Sequence, residues 1–539
     1  MSGAQIDLFE NKSPYAAVVR LALPAVVGQI ILVLYNMADT FFVGLTRSDA
    51  NVTAVTVCMP ALMFLLAIAN LFGVGGGAAF SRALGRRDLA RCGNIAAHAL
   101  LGCLLGALLY GVLCWLFLDA FADLLGAADP AVHALAARYL AVTVALGGVP
   151  TALSALFAHL VRAEGRSAQS SCGTILGGVL NMALDPLFMF VLLPRGNEVL
   201  GAAIATALSN LLSCLYFLAI LRRGRTSLRF RYDRAAFSDG SARELLLTGL
   251  PACLMTLFEN MSYAILSVNM AHWGVAAQAG IGVAKKINML AHCAVRGIAQ
   301  GVLPLLAYAF ASGNRERMRR FLRISITASV FLSTLLMGAY LLFSRRLAGL
   351  FLPAGKSQDL CADFLRILCV GCPFSALGYI VISFFQAVNQ GGKSFLLACL
   401  RKGAVDIPLM FLLKTCFGAR GLIMATPLAD MFCCVTAVLL LGRWFYEPRP
   451  IDSPCRPIRK GWSTHDRQQA VYFIEGSGTG ELHPGKRGLE PDPARREPAY
   501  PRAGRRAGRQ AFRAVRKPAA ALQAGGAGRR RRQGHGGTV

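Results

Sequence analysis

Charged residues are scarce in this chain. They form 16% of its 539 residues, while 55% of the residues are hydrophobic; soluble globular proteins carry about 25% charged residues. The shortage extends over most of the length and indicates a membrane protein. The first apolar run is too long for a signal-peptide core and no small-residue cleavage site follows it, so we interpret it as a retained membrane span.

Strong metal-binding and catalytic signatures are also scarce. The 16 cysteines are scattered through apolar runs, as small buried hydrophobic residues would be. One CxxC spacing, Cys369 to Cys372, lies within a predicted span without a second pair, and we do not interpret it as a metal site. Enzymes that transfer prenyl or glycosyl groups in membranes need metal-binding carboxylate clusters such as DxxxD. This spacing occurs at Asp119/Asp123 and at Asp359/Asp363, but both pairs begin in connectors between predicted spans, and these loops are too short for a catalytic domain. A membrane-embedded enzyme is therefore the least favoured alternative, and no cofactor is expected.

Acidic residues are half as frequent as basic ones, and the net charge is +28. This excess would suit nucleic acid, but its distribution argues against such a partner. Residues 451–539 hold 19 Lys+Arg and 7 Asp+Glu, and the other excess bases lie in short loops, where they set membrane topology. The composition of 451–539 predicts a disordered basic tail. We interpret it as a non-native extension or, alternatively, as a segment that contacts anionic lipid.

Twelve apolar windows are long enough to cross a bilayer as helices, which takes about 20 residues each. They predict an all-α polytopic membrane protein. The spans lie near 17–44, 53–80, 94–118, 134–158, 169–193, 200–221, 246–272, 280–308, 322–344, 361–387, 394–416 and 420–445. Connectors after even-numbered spans are basic, which predicts a multi-pass protein of the plasma (inner) membrane with both termini in the cytoplasm. We expect it to act as a monomer.

Short motifs recur in the same order in the two halves of the chain. Leu21-Ala-Leu-Pro24 is repeated as Thr248-Gly-Leu-Pro251, with four further matches at nearly the same offset. An offset of six spans returns the chain to the same side of the membrane, so the halves should be parallel copies. We therefore predict three regions before the tail: an N-terminal six-helix lobe at 15–221, a basic cytoplasmic inter-lobe loop at 222–245 and a C-terminal six-helix lobe at 246–445.

Two acids stand at similar depth in spans 1 and 5. A charged side chain within the bilayer costs about 2.5–3.5 kcal/mol on insertion scales, so Asp39 and Asp185 are candidates for a functional site. Asn181 lies four residues before Asp185 on the same helix face, and Asn36 and Tyr35 lie one turn before Asp39. Such a cluster could share a proton or hold Na⁺ with oxygen ligands. It predicts a cation- or proton-coupling site, with helix–helix bonding as the alternative.

Pro24 lies fifteen residues before Asp39 in the same span. Proline removes one backbone hydrogen bond, so Pro24 is a candidate hinge that lets the helix bend when Asp39 changes charge.

The C-terminal half has acids of its own. We expect Asp406 to be neutralised by Lys402 at i,i+4, and Asp430 to bond a neighbouring helix. Lys285 and Lys286 begin span 8, and one of them can face the cavity while the other reaches the interface; the sequence does not distinguish them.

Three motifs resemble the multidrug and toxic compound extrusion (MATE) family over residues 15–445. They are Pro24…Tyr35-Asn-Met-Ala-Asp39-Thr-Phe-Phe-Val-Gly44, Asn181-Met-Ala-Leu-Asp185-Pro186 and Gly297-Ile-Ala-Gln300-Gly301-Val-Leu-Pro304…Tyr308…Gly313-Asn314. The resemblance implies V-shaped lobes around a central cavity and export of organic cations or similar amphiphiles in exchange for H⁺ or Na⁺. It places the coupling acids at Asp39 and Asp185, with Asn181 beside them.

Glu259 matches a glutamate that some members use for Na⁺ in the C-terminal lobe, although span 10 lacks the aspartate that accompanies it there. Glu259 is thus a candidate second-lobe ion or substrate site. A lipid-linked precursor flippase of the same superfamily is the main alternative. Flippases of that kind usually offer a basic cavity to pyrophosphate, whereas the predicted spans here hold more acids than unpaired bases.

Overall fold

Long apolar stretches fold as helices in a bilayer because a helix satisfies its backbone N–H and C=O groups internally. The computed structural model describes residues 3–127, 129–223, 228 and 240–446. The predicted tail and most of the inter-lobe loop lie outside these residues.

The helices of the first half precede the gap at 229–239. They are α1 (Gly3–Glu10), α2 (Pro14–Leu45), α3 (Asp49–Gly85), α4 (Leu89–Leu116), α5 (Leu118–Leu124), α6 (Pro130–Leu140), α7 (Gly148–Ala163), α8 (Ser167–Pro186) and α9 (Glu198–Arg222). Two π-helical segments, Ala141–Leu146 and Leu187–Leu192, extend α6 and α8.

The second half follows the same plan. Its helices are α10 (Ser241–Ala271), α11 (Val275–Ala311), α12 (Arg315–Gly349), α13 (Lys356–Cys369), α14 (Cys372–Ala387), α15 (Gly391–Cys399) and α16 (Asp406–Tyr446). A π-helical segment, Leu400–Ala404, joins α15 to α16.

The described residues contain twelve spans, as predicted. Nine helical segments are individually long and apolar enough to cross a membrane, and two bent pairs, α6 with α7 and α13 with α14, add two more. The segment Gly391–Tyr446 consists of two spans, because the chain reverses at Gly418, whose φ is +60°. Arg401 and Asp430 are 2.9 Å apart across this reversal, whereas a straight helix would separate them by roughly 44 Å.

The repeat is visible in the irregularities of the helices. The bend between α6 and α7 is 50°, and the bend between α13 and α14, at the corresponding place in the second half, is 46°. Spans 5 and 11 each contain a π-helical segment as well, Leu187–Leu192 at the end of span 5 and Leu400–Ala404 within span 11, but these two segments are at different positions in their spans. The corresponding bends identify the two halves as structural copies.

The lobes pack together at one end of the bundle, which we call the N-terminal face because α2 begins there. One apolar core contains residues of both lobes near this face, including Phe80 of α3 and Leu305 of α11. Toward the opposite face a second core is built from the C-terminal lobe alone, with Ile281, Leu368 and Leu422 among its members. The lobes therefore share a core at the N-terminal face and pack separately at the opposite face.

Glycines allow the two lobes to approach at backbone distance. A Cβ atom on Gly249 of α10 would lie 1.8 Å from the Leu71 carbonyl oxygen of α3, and one on Gly75 would lie 2.3 Å from that of Leu245. Small residues at such crossings are typical of packed membrane helices.

Gly249→Ala should push α3 and α10 apart, because backbone atoms cannot yield as a flexible side chain can. We expect a loss of about 1–3 kcal/mol in the free energy of unfolding, measured by titrating SDS into detergent micelles of the protein. Gly338→Ala is the matched control, since no atom lies within 4 Å of its added Cβ. Equal stability of the two variants would contradict the close approach.

Candidate functional site

The helices α2 and α8 run parallel and in step. A Cβ on Gly178 would lie 3.3 Å from Tyr35, and one on Gly28 would lie 3.4 Å from the Ser171 side chain. The two residues of each contacting pair, Tyr35 with Gly178 and Gly28 with Ser171, are separated by the same number of positions in the sequence. The same separation places Asp39 level with the turn from Asn181 to Asp185. The similar depth predicted from the sequence is thus found in the structure.

The predicted carboxylates are buried. Asp39 is 7% exposed and Asp185 is fully buried. The Asn181 side-chain amide donates to Asp185 Oδ1 at 3.2 Å and to Thr206 Oγ1 of α9 at 3.3 Å. Tyr139 of α6, also buried, lies within electrostatic range of both acids. Thr206 and Tyr139 were not predicted from the sequence. Thr206 ends the motif Gly201-Ala-Ala-Ile-Ala-Thr206, which recurs as Gly421-Leu-Ile-Met-Ala-Thr426, and no signal marked Tyr139.

Three oxygens of this cluster have no hydrogen-bond partner among the described residues. They are Asp39 Oδ1, Asp185 Oδ2 and Asn181 Oδ1. A buried polar atom without a partner is costly, and a buried carboxylate oxygen especially so. A proton can satisfy one such oxygen, and an oxygen-coordinated cation can satisfy more than one.

The remaining predicted residues of α2 differ in their surroundings. Tyr35 packs against Gly178, beside the carboxylate cluster. The Asn36 amide instead donates to the Leu32 carbonyl of its own helix at 2.7 Å, so the structure does not direct this donor at Asp39.

Pro24 lies inside the continuous helix α2. The neighbouring Leu21 carbonyl accepts a hydrogen bond from Ser167 at 2.6 Å, and a Cβ on Gly301 would lie 2.7 Å from the same oxygen. The candidate hinge is therefore close to the level at which α2 meets α11.

Glu259 is held by groups of three other helices. Its carboxylate accepts from Arg296 Nη2 at 2.7 Å and from the Tyr379 hydroxyl at 2.6 Å. Arg401 Nη1 lies 3.7 Å from Glu259, while its Nε donates to Asp430 at 2.9 Å. The predicted bond of Asp430 to a neighbouring helix is confirmed. Arg296 and Arg401 were not predicted from the sequence, although the cost of a charge within the bilayer applies to them as it does to Asp39.

The predicted ion pair between Lys402 and Asp406 is wrong, because the two side chains are not in contact. Asp406 accepts a hydrogen bond from Ser262 at 2.5 Å, and the described residues contain no Lys402–Asp406 ion pair within 4.0 Å. Lys402 lies within the π-helical segment Leu400–Ala404, and the extra residue in this turn removes the i,i+4 alignment with Asp406 that a regular helix would give.

The two adjacent lysines of α11 point to different lobes. Lys285 is within electrostatic range of Lys402, Asp406, Asp430 and Glu259, all in the C-terminal lobe. Lys286 is within range of Asp39 in the N-terminal lobe. Both side chains are half-buried.

Comparison with known proteins gives consistent relatives. The MatE family model matches twice, over 24–187 and 251–412, which reproduces the internal repeat. The multidrug export protein MepA of Staphylococcus aureus is 26% identical over 441 residues, covering 82% of this chain and 96% of the relative. A crystal structure of MATE in complex with MaL6 is similar with a TM-score of 0.75 at 26% identity, covering 82% of this chain and 98% of that one. The outward-facing structure of a multidrug resistance MATE family transporter of the MOP superfamily gives a TM-score of 0.74 at 26% identity, covering 83% and 98%.

Proposed function

This chain belongs to the MatE family and is a multidrug efflux transporter of the plasma membrane rather than an enzyme, and we propose that it works as an antiporter. It exports organic cations or similar amphiphiles and admits H⁺ or Na⁺ in exchange, by alternating access between the two sides of the membrane.

The observation that carries this proposal is the three buried oxygens on Asp39, Asp185 and Asn181 that lack a hydrogen-bond partner within the part of the chain that the structure describes. An empty cluster with two ionised acids is unfavourable because both desolvation and like charge oppose it. Loading a proton or Na⁺ removes this cost. An ion that stabilises one arrangement of the lobes more than the other can drive the exchange between them.

The packing supports an outward-facing state. Basic residues follow α3 at the N-terminal face, with Arg86, Arg87 and Arg91 in sequence, and the positive-inside rule then assigns this face to the cytoplasm. The lobes share a core there and pack separately at the opposite face. The separated faces form a cleft toward the outside.

Two polar clusters close the N-terminal face. Arg82 is buried and donates to Glu244 at 2.8 Å and to the Gln386 carbonyl at 2.6 Å. Glu10 accepts from the Tyr308 hydroxyl at 2.6 Å and from Arg87 at 3.1 Å. This bond and the charge of Glu10 raise the pKa of the Arg87 guanidinium above its ordinary value. An inward-facing state requires these contacts to break.

Pro24 connects the ion site to this closure. It precedes Asp39 on α2 and lies at the level where α2 packs against Gly297 and Gly301 of α11. A bend at Pro24 when Asp39 is loaded would change this inter-lobe packing.

Transport by the wild-type protein in proteoliposomes tests the proposal. We expect an outward H⁺ gradient or an outward Na⁺ gradient to drive ethidium into the vesicles, because ion exit must exchange for cation entry. Nigericin should abolish the H⁺-driven uptake, and monensin the Na⁺-driven uptake. Carboxylates and amides can bind either ion, so the comparison identifies the coupling ion. Uptake equal to that of protein-free vesicles under both gradients would contradict antiport.

A further inference from the structure

A cavity opens at the N-terminal face where α10 and α15 begin, and we call it the α10–α15 pocket. Its volume is about 440 Å³, within the range of about 300–1,000 Å³ that small-molecule sites occupy. Arg91 of α4 lines it from the N-terminal lobe, and the other lining residues belong to the C-terminal lobe. A ligand in this pocket would therefore contact both lobes. The lining residues that matter here are Arg91, Arg243, Glu244, Leu247, Gly391 and Gly392.

Positive charge is in excess around the pocket. Arg82 and Arg91 each bind one oxygen of Glu244, at 2.8 Å and 2.7 Å, so both oxygens of the carboxylate that lines the pocket are engaged. A further acid, Asp88, accepts the Arg91 backbone N–H at 2.9 Å. Arg243 is exposed and forms no hydrogen bond or ion pair within the described part of the chain. Three guanidinium groups thus face two carboxylates, and the charge of Arg243 is available to a ligand.

The backbone of α15 offers donors to the same pocket. Its N-cap residue, Gln390, provides no side-chain hydrogen bond, and the N–H groups of Gly391 and Gly392 donate to no carbonyl of the described residues. A Cβ on Gly391 would lie 2.3 Å from the Leu247 carbonyl oxygen, so only glycine fits where α15 meets α10, whereas no atom lies within 4 Å of a Cβ on Gly392. Open N–H groups at the positive end of a helix favour an anion beside the arginines.

An apolar surface continues from the pocket along α10. Leu247 is 52% exposed, and Leu246 and Leu250 beside it are 44% and 40% exposed. They follow the start of α10 at Ser241 by about 8–14 Å along the helix axis. The headgroup layer is about 6 Å deep on each side of the hydrocarbon core. A ligand in the first turn of α10 therefore lies at headgroup level when these leucines contact acyl chains.

We propose that the α10–α15 pocket binds the phosphate of an anionic glycerophospholipid of the cytoplasmic leaflet, whose acyl chains lie along the exposed leucines of α10. Arg243 and the N–H groups of Gly391 and Gly392 bind the phosphate oxygens. Arg91, whose side chain is 27% exposed, contacts the same headgroup from the other lobe. Basic pockets between membrane helices on the cytoplasmic side are typical sites for such headgroups. The lipid is a bound ligand rather than a transported substrate, because the pocket lies at the closed face and not in the cleft.

Native mass spectrometry of the full-length protein, released from detergent micelles, tests the site. Titration with dioleoyl phosphatidylglycerol gives an apparent dissociation constant for the first bound lipid, and dioleoyl phosphatidylcholine is the zwitterionic comparison. We expect the wild type to prefer phosphatidylglycerol by about tenfold, the effect of one charge-assisted bond, because choline would bring a further cation to the arginines. Glycerol 3-phosphate carries the phosphate without acyl chains and should not displace the lipid at equal concentration.

Arg243→Gln and Gly392→Asp should each weaken the binding of phosphatidylglycerol about tenfold and remove most of the preference over phosphatidylcholine. Neither variant should lose stability. Arg243 is exposed, and an acid in the first turn of α15 interacts favourably with the helix dipole, so Gly392→Asp should keep or raise the free energy of unfolding while it loses the lipid. Arg323→Gln is the matched control, because it removes an exposed charge of α12 at the same face, outside the pocket.

Equal affinity of the wild type for the two lipids, or phosphatidylglycerol binding that is unchanged in both variants, would overturn the assignment. Displacement of the lipid by an equal concentration of glycerol 3-phosphate would also overturn it, since the pocket would then bind a soluble phosphate ester. An equal loss of lipid binding in Arg323→Gln would attribute the preference to the net charge of the face and leave no role for the pocket.

Discussion

Asp39→Asn abolishes gradient-driven export: we expect ethidium uptake into proteoliposomes to fall to the rate of protein-free vesicles. The substitution keeps the shape of the side chain and removes its ability to alternate between charged and loaded states. Asp39 is 7% exposed, and its Oδ1 atom has no hydrogen-bond partner among the described residues, so this oxygen is open to a proton or a cation. The measurement is the initial rate of uptake under an imposed H⁺ gradient and, separately, a Na⁺ gradient.

Asp185→Asn should show the same loss, because Asp185 lies level with Asp39 and its Oδ2 atom also lacks a hydrogen-bond partner among the residues of the described ranges. Asp123→Asn is the matched control. That carboxylate is 71% exposed and lies 3.2 Å from His133 outside the spans, so its removal should leave the rate within about twofold of wild type. Binding of ethidium to the purified Asp39→Asn protein would establish that the variant is folded. Gradient-driven uptake that survives in Asp39→Asn would show that coupling resides elsewhere.

The fold could be predicted well because the bilayer imposes it. A span must be helical and about 20 residues long, so apolar windows reveal spans even where α6 and α7 bend by 50°. The boundary between spans 11 and 12 was placed near 416–420, and the chain reverses at Gly418. The equal depth of Asp39 and Asp185 in the membrane could be predicted from the direction of their spans alone. Two parallel helices of similar length that begin at the same side place residues equally far from their starts at the same depth.

The site could be predicted only in part because its other members come from separate helices. Thr206 and Tyr139 join the Asp39 cluster through packing that no spacing encodes. Arg296 and Arg401 reach Glu259 from α11 and from the π-helical segment. Lys402 lies in the same segment, and the π-helical turn removes its predicted alignment with Asp406. Periodicity arguments assume regular helix, and they fail where the backbone departs from it.

Arg82→Gln should open the N-terminal face. Arg82 is 0% exposed and joins α3 to two helices of the other lobe through Glu244, Thr248 and the Gln386 carbonyl. Removing one partner from a buried ion pair leaves the other unsatisfied and costs about 3–5 kcal/mol. We expect a loss of this size in the free energy of unfolding, measured by SDS titration of detergent-solubilised protein. We also expect impaired export, because the closed arrangement of this face is no longer favoured.

A double-mutant cycle separates this contact from general damage to the bundle. Glu244 also pairs with Arg91 at 2.7 Å, so Glu244→Gln should be destabilising alone, and the double variant should cost less than the two single losses together. Arg320→Gln breaks the exposed ion pair with Glu316 and should cost at most about 1 kcal/mol. If Arg82→Gln is no less stable than Arg320→Gln, the buried contact does not hold the lobes together. If the losses in unfolding free energy of the two single variants instead add fully in the double variant, Arg82 does not act through Glu244. Its effect then comes from the bond to the Gln386 carbonyl at the end of α14.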